Sequence, residues 1–174
     1  NVDLVGNATF AQLQTLKLRD VSQGTVQINA SLKPAKVEFR GVQSANLAAP
    51  DGLKELSVMS WDSGAGGGVT SSFIQKLVVR GDKREGIAGN FGADVILDGA
   101  DAKKFAIKTA SIAGKLEGGE WIIEGEASVI GKVSARSADG WKLTTEGSVG
   151  EIFMDGDFVG ATGAEGHTAM AKYI

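Results

Sequence analysis

The sequence predicts an all-β chain wound as a parallel β-solenoid (β-helix) of about eight coils with a roughly 19-residue repeat, one domain over residues 1–174. Three observations carry this expectation. Short apolar runs return at a nearly constant spacing, their flanks repeat with them, and glycine is about twice as frequent as in ordinary chains, 25 residues of 174.

Taken in chain order, the runs are Leu16-Lys17-Leu18, Val37-Glu38-Phe39, Leu56-Ser57-Val58, Leu77-Val78-Val79, Val95-Ile96-Leu97, Leu116-Glu117-Gly118, Val133-Ser134-Ala135 and Ile152-Phe153-Met154. Their first members lie 21, 19, 21, 18, 21, 17 and 19 residues apart. In most runs the first and third residues are apolar, the period of two expected of a strand with one buried face. Upstream, Ser72-Phe73-Ile74-Gln75-Lys76-Leu77 is echoed by Ser111-Ile112-Ala113-Gly114-Lys115-Leu116 and Ser128-Val129-Ile130-Gly131-Lys132-Val133. Downstream stand turn residues such as Asp20, Gly41, Gly81-Asp82, Gly99 and Gly156-Asp157. A second apolar strand follows about ten residues on, at Val26/Ile28, Leu47, Ile87, Phe105/Ile107 and Leu143.

Each repeat thus holds two or three strands joined by corners. A unit so small cannot bury its own apolar face and must stack on its neighbours. Stacking places equivalent strands in parallel at ~4.8 Å, so eight coils span about 38 Å. Residues 64–68 read as a bulged corner. Residues 100–113 have a composition compatible with a helix, but Ile107, Thr109 and Ile112 suit a strand equally well. The alternative is an antiparallel β-sandwich, for which Asp51-Gly52, Asp98-Gly99, Asp139-Gly140 and Asp155-Gly156 would supply hairpin turns. The repeated anchor in a fixed local context favours the solenoid.

Net charge is −3 with both signs interspersed, which gives no electrostatic footprint for nucleic acid or an anionic membrane surface. No apolar run approaches the ~20 residues of a membrane helix, so no membrane insertion is expected. Cysteine is absent, removing disulfides and thiolate metal sites. The chain opens at Asn1 without a signal-like segment, and is expected to be a segment of a larger protein.

The pattern Ser-apolar-x-Gly-Lys-apolar-x-apolar-x-Gly-Asp, with the tryptophan variant Leu56-Ser57-Val58-Met59-Ser60-Trp61-Asp62, resembles the β-strand repeat regions of very large secreted or surface proteins of planctomycete-type bacteria. The likeness covers roughly residues 13–160 and is clearest from Leu53 onward. The first two coils lack the Gly-Asp, and the coil around residues 116–125 is less regular. The resemblance implies a fold style and a bacterial extracellular or cell-surface location, and carries no catalytic residue.

Three residues past the anchors stand Arg19, Arg40, Met59, Arg80, Asp98, Gly119, Arg136 and Asp155. If the coils stack, the arginines share one ribbon able to grip an acidic polysaccharide, although interspersed aspartates point to a solvated outer face of mixed sign. Trp61 and Trp121 follow their anchors at the same offset of five, and Trp141 also follows an anchor strand. Tryptophans can stack on sugar rings, whereas corner tryptophans burying an edge are commoner. Arg19, Arg40, Arg80, Arg136, Trp61 and Trp121 are therefore the candidate ligand surface. Arg80-Gly81-Asp82 spells an integrin-type tripeptide, but the repeat itself asks for Gly-Asp there. Asp98, Asp101, Asp155 and Asp157 have the chemistry for Ca²⁺, without an EF-hand or nonapeptide loop. His167 is the only histidine, and no nucleophile elbow accompanies it. Residues 64–68 lack the Lys-Ser/Thr of a phosphate loop. Asn7-Ala8-Thr9 and Asn29-Ala30-Ser31 are sequons that matter only in a eukaryotic secretory pathway.

No catalytic, cofactor or metal constellation emerges. The expected function is a non-enzymatic structural or interaction module of a bacterial extracellular or cell-surface assembly. Its expected partners are other parts of a larger surface protein, with polysaccharide as a further candidate. The alternatives are a carbohydrate-binding or carbohydrate-cleaving β-helix and a self-polymerising cytoskeletal solenoid.

Overall fold

Short β-branched runs broken every few residues by glycine, asparagine or aspartate cannot continue in one direction; they form strands that turn at corners. The computed structural model describes residues 2–29, 33–62, 66–101 and 103–159, and no helix occurs among them. The chain begins with β1 (Leu4–Val5), β2 (Ala8–Ala11), β3 (Thr15–Asn29), β4 (Ala35–Ala49) and β5 (Leu53–Asp62). It continues through β6 (Gly68–Ser71), β7 (Ile74–Val79), β8 (Asp94–Leu97), β9 (Phe105–Ile112), β10 (Lys115–Glu117) and β11 (Glu120–Ile123). The last strands are β12 (Val129–Ala135), β13 (Ser137–Asp139), β14 (Lys142–Thr145), β15 (Ser148–Met154) and β16 (Phe158–Val159). Every strand pairing is parallel, so the expected β-solenoid is the fold and the antiparallel sandwich is not.

Three faces run the length of the stack, each burying two or more inward residues in most coils, and one in-register column marks each. On the first face, Leu16, Val37, Leu56, Leu77, Ala110, Val133 and Ile152 lie in register. The second carries Leu4, Val21, Val42, Trp61, Phe91, Leu116, Ala138 and Phe158. The third carries Ala8, Val26, Leu47, Val69, Val95, Trp121 and Leu143. These columns meet in one apolar core.

The stack has about seven turns, not eight, and the difference has a definite cause. Val95 and Leu116 belong to the third and second faces, and the first-face residue between Leu77 and Val133 is Ala110. The step from Leu77 to Ala110 is 33 residues. Part of that length is a hairpin over residues 82–87, closed by reciprocal backbone hydrogen bonds between Asp82 and Ile87, both 2.8 Å. This is the one antiparallel bridge among the described residues. Phe105 and Ile107 are likewise first-face residues, in β9, which settles residues 105–112 as strand.

The corner entering the third face is pinned in alternate coils by a side-chain oxygen that accepts from the next coil's backbone. Asn7 Oδ1 accepts from the Thr25 N–H at 2.8 Å, Asn46 Oδ1 from Gly68 at 3.0 Å, and Asp94 Oδ1 from Glu120 at 2.8 Å. Such corners satisfy backbone donors that the ladders leave unpaired, so the coil changes direction without stranding polar groups.

Candidate functional site

Outward residues of the first face alternate with the buried column and include a run of paired charges. Lys36 and Glu55 are direct neighbours, as are Lys132 and Glu151, and both couples form ion pairs, at 3.9 Å and 3.2 Å. Glu55 also lies 3.8 Å from Lys76 and 3.8 Å from Arg80, so three cations share one carboxylate. Beside them Lys17 pairs with Glu38 at 2.7 Å, and that hydrogen bond holds the Glu38 carboxyl below its ordinary range.

One residue beyond this face the chain turns toward the second, and the corner places Arg19, Arg40, Met59 and Arg80 on successive coils. All four line one shallow depression of about 300 Å³, with Leu18 beside them. Arg19 Nε donates to Asp3 Oδ1 at 2.8 Å, and the same guanidinium lies 3.3 Å from Asp20. The hydrogen bond from Arg19 depresses the Asp3 carboxyl and raises the arginine in turn. Arg40 lies 3.8 Å from Asp20 and pairs with Glu85, which reaches it from the hairpin. The arginine ribbon therefore exists for Arg19, Arg40 and Arg80. Arg136 lies farther along the stack, in a separate depression of about 270 Å³ with Lys115, Asp139 and Asp157. Asp98 and Gly119 leave the ribbon because they follow Val95 and Leu116, which are on other faces.

Trp61 and Trp121 are no part of a ligand surface; this corrects the expectation. They are 1% and 0% exposed, and Trp141 is 2% exposed. All three point into the core, where Trp61, Phe91, Trp121, Trp141 and Phe158 form a continuous edge-to-face ladder with centroids 5.8, 6.1, 5.3 and 6.3 Å apart. The three buried indole N–H groups have no hydrogen-bond partner among the described residues. The offset of five carries each chain round a corner onto another inward column, which is why both side chains are buried.

Chain chemistry elsewhere is local. The Asp82 carboxylate of the Arg-Gly-Asp tripeptide accepts from the backbone N–H groups of Arg84 at 2.8 Å and Glu85 at 3.3 Å, and so shapes its own hairpin. Asp101 Oδ1 accepts from Lys103 at 2.8 Å and Phe105 at 3.0 Å. Among the described residues, no group of three or more His, Cys, Asp or Glu side chains is placed to hold a metal ion. His167 lies outside the described residues, as do parts of the second sequon and of residues 64–68.

Compared with known proteins, the chain matches no family model, no curated protein and no solved structure.

Sequence reasoning found the three arginines because coils near the N-terminus are similar in length. It missed Glu85 and the hairpin that presents it. The available signal was the polar run Gly81-Asp82-Lys83-Arg84-Glu85-Gly86, rich in turn residues and lying between two apolar stretches.

Proposed function

We propose that this chain is a rigid, non-enzymatic structural or interaction module of a larger bacterial extracellular or cell-surface assembly. The observation that carries the reading is the unbroken register of three inward columns. Each coil is fixed by parallel ladders to the next, and an aromatic ladder runs through five rings of the core. Such a stack transmits length and orientation, and its stability needs no bound group. The placement in a bacterial surface assembly rests on the resemblance of the repeat motif alone.

Rigidity is measurable without background, since the chain has no cysteine. Gln27, Ala48, Thr70, Ile96, Ile122 and Thr144 are successive partners on the outer third face, five steps end to end, or about 24 Å. Spin labels at Gln27→Cys and Thr144→Cys should give one narrow distance distribution near that value, broadened only by label length. A broad distribution would contradict a rigid module. Release of reducing ends from a panel of polysaccharides would contradict the non-enzymatic reading.

A second reading, polysaccharide binding, is favoured by Arg19, Arg40 and Arg80 lining one depression.

A further inference from the structure

The hairpin over residues 82–87 is an insertion in an otherwise economical coil, and it makes one cross-coil contact of chemical interest. Its tip, residues 83–86, is exposed, yet Glu85 turns back to the Arg40 guanidinium of an earlier coil. The hairpin does not depend on that contact for its shape. The Asp82–Ile87 bonds close its base and the Asp82 carboxylate caps its turn. Gly81 (φ +65°) and Gly89 (φ +81°) form the base, and a Cβ on Gly81 would stand 2.6 Å from the Ile87 carbonyl oxygen. The Glu85 side chain can therefore swing away while the hairpin stays folded.

The depression Glu85 borders suits a larger anion. Arg40 and Arg80 stand two coils apart, about 10 Å, with the half-buried Met59 between them and Leu18 alongside. Arg19 is already held by Asp3 and Asp20; Arg80 shares the Glu55 carboxylate with Lys36 and Lys76, and the other carboxylate near it, Glu38 on the wall of the depression, is itself paired with Lys17. This leaves an excess of positive charge at the Arg80 end and a replaceable internal carboxylate at the Arg40 end.

We propose that this depression is a binding subsite for a carboxylate-bearing polysaccharide, and that Glu85 is a built-in competitor occupying the Arg40 position until the polymer displaces it. Arginine suits carboxylate through its planar fork of donors, and the apolar floor of Leu18 and Met59 can take the C–H face of a sugar ring. An acidic peptide fits less well. The backbone groups of these coils are engaged in parallel ladders, leaving no strand edge along the flank for a peptide to join. The inference rests on the reading of the chain as an interaction module and adds a ligand class to it.

The test is calorimetric titration of the full chain with polygalacturonate, its fully methyl-esterified form and poly-L-glutamate, with thermal melts confirming that each variant is folded. E85Q should tighten polygalacturonate binding about five-fold, the worth of one exposed ion pair, and R40Q and R80Q should each weaken it by a similar factor. E126Q and K108Q change the same charges at distant exposed sites and should leave affinity unchanged. The methyl ester should bind far more weakly than the free acid. An unchanged affinity in E85Q, equal losses in K108Q and R40Q, or tighter binding of poly-L-glutamate than of polygalacturonate would each overturn the proposal. A narrow spin-label distance with no response to polygalacturonate refutes the subsite alone, whereas a broad distance refutes the rigid module whatever binds.

Discussion

Replacing Leu77 by alanine removes about three carbons from a side chain that is 0% exposed and stacked between Leu56 and Ala110. Transfer of those carbons to water costs about 2.4 kcal/mol at ~0.8 per methylene. The cavity adds to this, because the coils above and below are held at ~4.8 Å by their ladders and cannot close the gap; Ala110 is too small to fill it from one side. The sum is about 3–5 kcal/mol. Arg80→Ala provides the contrast. Its side chain is 57% exposed and stands 3.8 Å from a carboxylate that two lysines also share, so its loss should cost about 0–1 kcal/mol. Urea titration of both variants, read at constant m, measures the difference directly. A Leu77→Ala cost below about 1 kcal/mol, or a larger cost for Arg80→Ala, would refute the assignment of inner and outer faces.

Two other expectations follow from the same geometry. Trp121→Ala should destabilise the fold by about 3–5 kcal/mol, and native tryptophan emission should resist iodide quenching until the chain unfolds; ready quenching of the native protein would place the indoles outside the core. The Asp3 and Glu38 carboxyls have folded values below their unfolded ones, so their contributions are present above the ordinary carboxylate range and are lost as pH falls through the lower folded values. Both groups are exposed, and the effect is small. Urea midpoints at pH 7 and pH 3 should differ less in E38Q than in the parent chain, and a larger difference in the variant would reverse the sign assigned here.

How far the fold could be read from the residues depended on what alternation encodes. Leu77-Val78-Val79 and Val95-Ile96-Leu97 both alternate inward and outward, and both are strands whose first and third residues are buried. Alternation distinguishes the inside of a strand from its outside, but carries no mark of which of three faces the strand belongs to. Alternation alone therefore also places Val95 and Leu116 in a column that is not theirs. Ala110 is hard to see in the sequence because its methyl group gives a weak apolar signal, although it is buried like Leu77 and Val133 on either side of it. The tryptophans show the same ambiguity at the corners. Trp61 and Trp121 share an offset of five from Leu56 and Leu116, yet they arrive on the second and third faces, and both point inward. The arginines were legible because Leu16, Val37 and Leu77 do share a face, so a constant offset from them is a constant place on the surface. The Glu85–Arg40 contact depends on how a hairpin folds back over an earlier coil, which no local spacing records.

The fold stands on the parallel stack in its actual register, in which residues 80–104 intervene between the adjacent first-face strands β7 and β9. Val78 and Ser111 are direct partners across that step. Their Cα atoms should be one parallel spacing apart, within the range a disulfide spans. In this cysteine-free chain, Val78→Cys/Ser111→Cys should cross-link almost completely under mild oxidation, as read by the mass of disulfide-linked peptides after proteolysis. Val78→Cys/Ile96→Cys, which an even 19-residue repeat would make neighbours, should remain reduced. Cross-linking of the second couple and not the first would contradict the account.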